Sequence, residues 1–173
     1  MITPEEARAQ AESNFTNGYT CSQAVASVFA EQLGFSKEEI CKLAQAFGGG
    51  MCRTREVCGS ISGMLMALGM LQGSADVSDK KTKDAVYEAG QKLMDEFRTQ
   101  NGSVVCRELL GLVPLGTSQA QLANASPQNA SPDTSMTSPV SEARTPEYYK
   151  KRPCAKLCGD AAEIFARYLS QKK

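Results

Sequence analysis

Cys58-Gly59-Ser60-Ile61-Ser62-Gly63-Met64-Leu65-Met66-Ala67-Leu68-Gly69-Met70-Leu71 is apolar nearly all round when wound at helical period. A helix without a polar stripe has to be surrounded by other elements, so this run predicts the central helix of a bundle. Its most apolar part, Ile61 to Leu71, falls well short of the ~20 residues that a membrane-spanning helix needs. Gly59, Gly63 and Gly69 are expected to let neighbouring backbones come close. Met64, Met66 and Met70, with Met94 further on, read as adaptable core filling.

Upstream lie three further helical signals. Thr3-Pro4-Glu5-Glu6 combines an N-cap, a proline at the first helical position and an acid at the third, and Asn17-Gly18 is a good stop. Thr20-Cys21-Ser22-Gln23 is a second capping box, followed by Ala24, Val25, Val28 and Phe29 on one face up to Gly34. Ser36-Lys37-Glu38-Glu39 opens a third helix, predicted to turn Ile40, Leu43, Ala44 and Phe47 inward before Gly48-Gly49-Gly50 ends it. Downstream, Val86, Ala89, Leu93, Met94 and Phe97 step by three and four between Asp79 and Gln100, and Asn101-Gly102 stops the helix. Ser103 is expected to cap a short helix holding Cys106, Leu109 and Leu110. Pro153 to Leu169 carries Leu157, Ala161, Ile164, Phe165 and Tyr168 on one face. No segment alternates with period two over a strand length. The predicted fold is all-α: a compact helical bundle forming a single domain over residues 1–173.

Residues 112–144 break the pattern. They hold two copies of Asn-Ala-Ser-Pro, at 124–127 and 129–132, and little that could be buried. They read as a long mobile low-complexity insertion before the last helix.

Lys and Arg number 19, as do Asp and Glu, and there is no basic cluster, which argues against a nucleic-acid or membrane-surface binder. There is no histidine. This excludes Ser-His-Asp and Cys-His catalysis, His-ligated zinc and haem attachment through Cys-x-x-Cys-His. The N-terminus has no signal-peptide pattern, and the chain is expected to be cytoplasmic. Seven cysteines in such a chain suggest metal binding or thiol redox chemistry before a disulfide framework.

Four of the cysteines share a position. Cys21, Cys58, Cys106 and Cys154 each fall at or near a predicted helix start. A helix N-terminus favours a thiolate, and such sites can bring a cysteine pKa to about 3.5–7.5. Four converging starts would build one pocket for bound or reactive thiolates. The plainer alternative is that they are small buried hydrophobes. Their sequence intervals match no local metal-ligand spacing. Cys158, one turn beyond Cys154, could sit beside the same pocket. Cys52 could act as a resolving thiol. Cys41 reads as packing. The Gly48-Gly49-Gly50 run lacks the Gly-Lys-Ser/Thr of a phosphate loop and follows a helix, so it reads as a helix stop. Gly49, Gly50 and Gly59 could line the thiolate pocket with backbone.

Tyr19-Thr20-Cys21-Ser22-Gln23-Ala24-Val25, Phe47-Gly48-Gly49-Gly50-Met51, and the Cys58-Gly59-Ser60 opening of the central helix resemble the C_GCAxxG_C_C family of redox-active proteins. Cys106-Arg107-Glu108-Leu109-Leu110-Gly111 and Cys154 complete the pattern. Where the family has Cys-Gly-Ala, this chain has Cys58-Gly59-Ser60. The family's four cysteines fall on Cys21, Cys58, Cys106 and Cys154. The resemblance implies an oxidoreductase or electron carrier working with a redox partner protein, and an iron–sulfur cluster on these four thiolates. The alternatives are a cofactor-free thiol/disulfide protein and a structural four-cysteine zinc site in a helical binding module. Homo-oligomerisation stays open.

Overall fold

A computed structural model describes residues 1–117 and 138–172. It consists of α1 (Pro4–Thr16), α2 (Cys21–Phe29), α3 (Lys37–Ala44), α4 (Gly59–Gln72), α5 (Lys80–Asn101), α6 (Cys106–Leu109), α7 (Pro146–Lys151) and α8 (Cys154–Ser170). Single 3₁₀ turns, Glu31–Leu33 and Gln45–Phe47, follow α2 and α3. Among the described residues no strand forms. One isolated antiparallel bridge pairs Val57 with Val105. No helix among them is long and apolar enough to cross a membrane.

The helix starts follow local chemistry. Thr3 Oγ1 accepts from the Glu6 N–H at 3.1 Å, and Glu6 returns a carboxylate oxygen to the Thr3 N–H at 2.9 Å. Thr20 and Gln23 make the same reciprocal pair. Each box satisfies two amide donors that the first helical turn leaves without partners. Thr3 is exposed and does little else, so Thr3→Ala should lower stability by ~1 kcal/mol. For a chain of this size that is a fall in Tm of about 2–4 °C, readable by circular dichroism. An unchanged Tm would show that the cap contributes nothing.

α4 is the hub. It packs on α2, α8 and α5, and more lightly on α3, while α1 lies along α8. Gly59, Ser60, Ile61, Ser62, Gly63 and Met64 form an unbroken buried stretch at its start. At Gly63 a Cβ would lie 2.5 Å from the Ser22 carbonyl oxygen, so α2 and α4 touch backbone to backbone there. Phe29 meets Phe165 edge-on, with ring centroids 4.7 Å apart, and ties α2 to α8. Arg8 of α1 reaches the buried Asp160 of α8 at 2.6 Å, and Lys156 holds the other oxygen of that carboxylate at 2.6 Å.

Several expectations are corrected. Gly69 meets nothing within 4 Å, so only Gly59 and Gly63 mediate close approach. Leu43 is 67 % exposed and Phe47 37 % exposed. α3 is a short outer helix covered on one side, and only Ile40 and Ala44 reach the interior. Ser103 does not cap α6. The N-cap is Val105, and Ser103 Oγ instead accepts from the Val105 N–H at 3.0 Å and bonds the Glu108 carboxylate. α7, opened by Thr145 and Pro146, has no counterpart in the expected set. The predicted mobile insertion falls mostly on residues 118–137, outside the described residues. Its C-terminal flank, 138–144, lies against the body of the protein: the Ser138 carbonyl accepts from Arg53 Nε at 2.8 Å, and Arg144 stacks on Phe15 and Tyr148.

Candidate functional site

Cys21 is the first residue of α2 and Cys154 the first of α8. Cys58 is the N-cap residue of α4, one position before its first turn. Cys106 opens the four-residue α6. The Val57–Val105 bridge sets Cys58 beside Cys106: the Cys58 N–H donates to the Val104 carbonyl at 2.9 Å, and the Cys106 N–H donates to the Glu56 carbonyl at 2.6 Å. All four side chains are buried, and all four line a single cavity of about 400 Å³. Cys21 and Cys154 are neighbours close enough to shift each other's titration.

The glycines divide. Gly49 and Gly59 line the cavity. At Gly59 a Cβ would press on Cys21 Cβ at 3.0 Å. Gly50 does not line it but packs behind Cys106, whose Cβ would lie 2.6 Å from an added methyl. Cys158 is fully buried beneath the cavity floor, its sulfur 3.4 Å from Ser60 Oγ and 3.7 Å from the Cys21 carbonyl oxygen. Cys41 lies away from the cavity, on an open groove with Tyr19, Gln23 and Lys37. Cys52 is exposed and stands on the cavity wall, its thiol donating to the Ala46 carbonyl at 3.3 Å.

The glycine run does more than stop α3. Gly49, Gly50, Met51, Cys52 and Arg53 all have φ between 49° and 74°, a turn of left-handed helix, and Arg55 follows at 64°. Such a conformation costs a non-glycine residue ~1–2 kcal/mol. The turn is fastened by the Cys52 N–H to the Ala46 carbonyl at 2.7 Å and by the Glu56 N–H to the Gly50 carbonyl at 3.1 Å. Its effect is to set Cys52, Arg53 and Arg55 on the cavity wall. Strain of this kind concentrates at functional sites.

The electrostatics depart from expectation. Helix starts were predicted to lower the thiol pKa values, whereas all four lie above the usual cysteine range. Burial, then the charge of Cys106, pushes Cys58 up to about 12. Burial raises Cys106 as well, against the opposing charge of Arg55. The neighbouring Cys21 sulfur, then burial, raises Cys154 well above its ordinary value. Cys154 in turn pulls Cys21 down. Its contact with Cys158, its burial and the neighbouring sulfurs together outweigh it, and Cys21 ends well above its ordinary value. The first turn of α4 does act on Cys58, through the Ser60 N–H that draws it down, but desolvation acts on every one of these thiols and outweighs such help.

Four cysteines from four helix starts now share one cavity, and a family model described as "Putative redox-active protein (C_GCAxxG_C_C)" matches residues 19–168. The chain belongs to this family. No curated protein and no solved structure matches it. The four cysteines that the capping pattern singles out are the four that line the cavity. The arginine side of the cavity escaped the sequence reading. Arg53, Arg55, Arg144 and Arg152, with Glu142, line it from segments that carry no recognisable signal: a left-handed turn and the approach to α7.

Proposed function

We propose that this member of the redox-active family carries electrons through a centre built on Cys21, Cys58, Cys106 and Cys154, with an iron–sulfur cluster as the cofactor and a partner protein as the source or sink of electrons. The observation that carries this reading is the shared buried cavity that the four thiols line. They stand around a space rather than on a point. Among the described residues no group of three or more His, Cys, Asp or Glu is gathered as a single metal ion requires. A closed four-cysteine zinc site needs four sulfurs on one centre. A polynuclear cluster is held from its outside, by one thiolate per corner, and fits a cavity with four thiols in its wall.

Bound there, a cluster would supply one-electron chemistry. Cys21, Cys58, Cys106 and Cys154 would hold it as thiolates, a state that burial alone disfavours and that positive metal ions restore. Arg55, beside Cys106, would offset part of the negative charge. The buried start of α4 would keep water from the sulfurs. A cytoplasmic, reducing location suits the seven free cysteines.

The closeness of Cys21 and Cys154 in the cavity wall favours a second reading without cofactor. A Sγ–Sγ bond would form between them while a partner's disulfide takes up the two electrons and two protons and becomes two thiols.

Anaerobic reconstitution with ferrous iron and sulfide separates the two. The expected result is a brown protein with broad visible absorption and iron and acid-labile sulfide bound to the chain. A colourless, iron-free protein that forms a Cys21–Cys154 disulfide on oxidation, seen by peptide mapping, would overturn the cluster and leave the dithiol. A protein that does neither would overturn both.

A further inference from the structure

Arg152 Nη2 bonds Glu142 Oε1 at 2.6 Å, Arg53 Nη2 reaches the same oxygen at 3.3 Å, and Arg55 Nη2 lies 3.7 Å from it. Three guanidiniums thus converge on one carboxylate oxygen, in the wall of the cavity that the cysteines line. The cradle is built rather than incidental. Arg55 is 4 % exposed. Arg152 is seated on the Tyr148 ring, 4.8 Å from its centroid. Arg53 is anchored through Nε to the Ser138 carbonyl, and its backbone is held in the left-handed turn. Guanidinium forks match the planar and tetrahedral oxygens of carboxylates and oxyanions, and holding several of them together is the usual way of binding such groups. Glu142 arrives from a different quarter: it stands on the short irregular approach to α7 and keeps about a third of its side chain exposed.

We propose that the Arg53–Arg55–Arg152 cradle is the site for a small oxyanion substrate or ligand of the redox centre, and that Glu142 is a built-in carboxylate that occupies the cradle until the anion displaces it. The inference rests on the cavity being the reaction site, and it names the class of molecule that enters. Three guanidiniums on one point select a sulfur or phosphorus oxyanion, and a cavity of about 400 Å³ has room for one beside the thiols. Cys106 stands beside Arg55, so an anion held by the cradle would lie against one of the four thiols.

The test is calorimetric titration of the full chain at low ionic strength, with sulfite, sulfate and phosphate as separate probes. Glu142→Gln removes the internal competitor's charge while keeping its shape. It should tighten binding of at least one probe about tenfold, or bring binding into range for the first time. Arg152→Gln should weaken the same binding by about tenfold or more, and raising the salt concentration should weaken it further. Circular dichroism confirms that each variant is folded. Absence of binding to both the natural chain and folded Glu142→Gln overturns the proposal. So does binding that neither Glu142→Gln nor Arg152→Gln alters, which would mean an adventitious ion only. The natural chain, put through both the anaerobic reconstitution and the titration, separates this inference from the redox reading. Anion binding without colour or a disulfide would sink the redox centre alone, and a coloured protein that binds none of the probes would sink the cradle alone.

Discussion

Cys154→Ser is expected to abolish the redox signal of the protein while leaving it folded. Cys154 opens α8, lines the cavity and neighbours Cys21. In the cluster reading it is one of four ligands, and an alkoxide is far too poor a thiolate substitute to hold its corner. In the dithiol reading it is half of the bond that forms. Either way the loss should be essentially complete, in visible absorption and bound iron or in the disulfide that oxidation produces. The fold should survive, because a hydroxyl can keep the contact with Cys21 and α8 is held along its length by α1 and α4. Cys41→Ala is the control. That thiol lies on the open groove beside Lys37, so colour, iron content and oxidation behaviour should stay as in the natural chain. A folded Cys154→Ser protein with undiminished iron and unchanged oxidation would reduce Cys154 to a buried hydrophobe.

The largest effect on stability is expected at Gly63. A valine there would place its Cβ 2.5 Å from the Ser22 carbonyl oxygen and 2.9 Å from Val25 Cβ, and the first of these atoms belongs to a helix backbone that cannot swing aside. Overfilling a packed core typically costs about 1–3 kcal/mol. With main chain as the obstacle, Gly63→Val should reach the upper end or exceed it, a fall in Tm of about 10 °C. The displacement would not stay local. α2 and α4 carry Cys21 and Cys58 at their starts, and Gly59 already sits against Cys21 Cβ, so the redox signal should weaken along with stability. Gly69, six residues along the same helix, provides the opposite case. It meets nothing within 4 Å, so Gly69→Ala should gain up to ~1 kcal/mol from helix propensity. Chemical denaturation of the two variants reads both signs. Equal and small effects would mean that α2 and α4 do not touch at Gly63.

Features controlled by short-range chemistry are legible in the chain as written. Thr3 and Thr20 meet their partners three residues away, Gly34 and Gly102 end their segments in left-handed conformations, and the unbroken apolar run after Cys58 had to be central. These signals locate every helix but α7 and pick out four cysteines that line one cavity. Tertiary structure alone decided the rest. Cys58 and Cys106 meet through a two-residue bridge across 48 positions, which leaves no periodicity to read. The glycine run becomes a left-handed turn rather than a plain stop because carbonyls of the preceding 3₁₀ turn and glycines fasten it. Leu43 and Phe47 have inward spacing but no neighbour to cover them. The thiols are raised rather than lowered in pKa because desolvation depends on how many elements close over them, and that number is set only when the bundle is assembled. The arginine cradle joins residues 53, 55 and 152 on a single carboxylate at 142. Each of these is, in the sequence, an ordinary surface charge, and only the return of the chain over the cavity makes them one site.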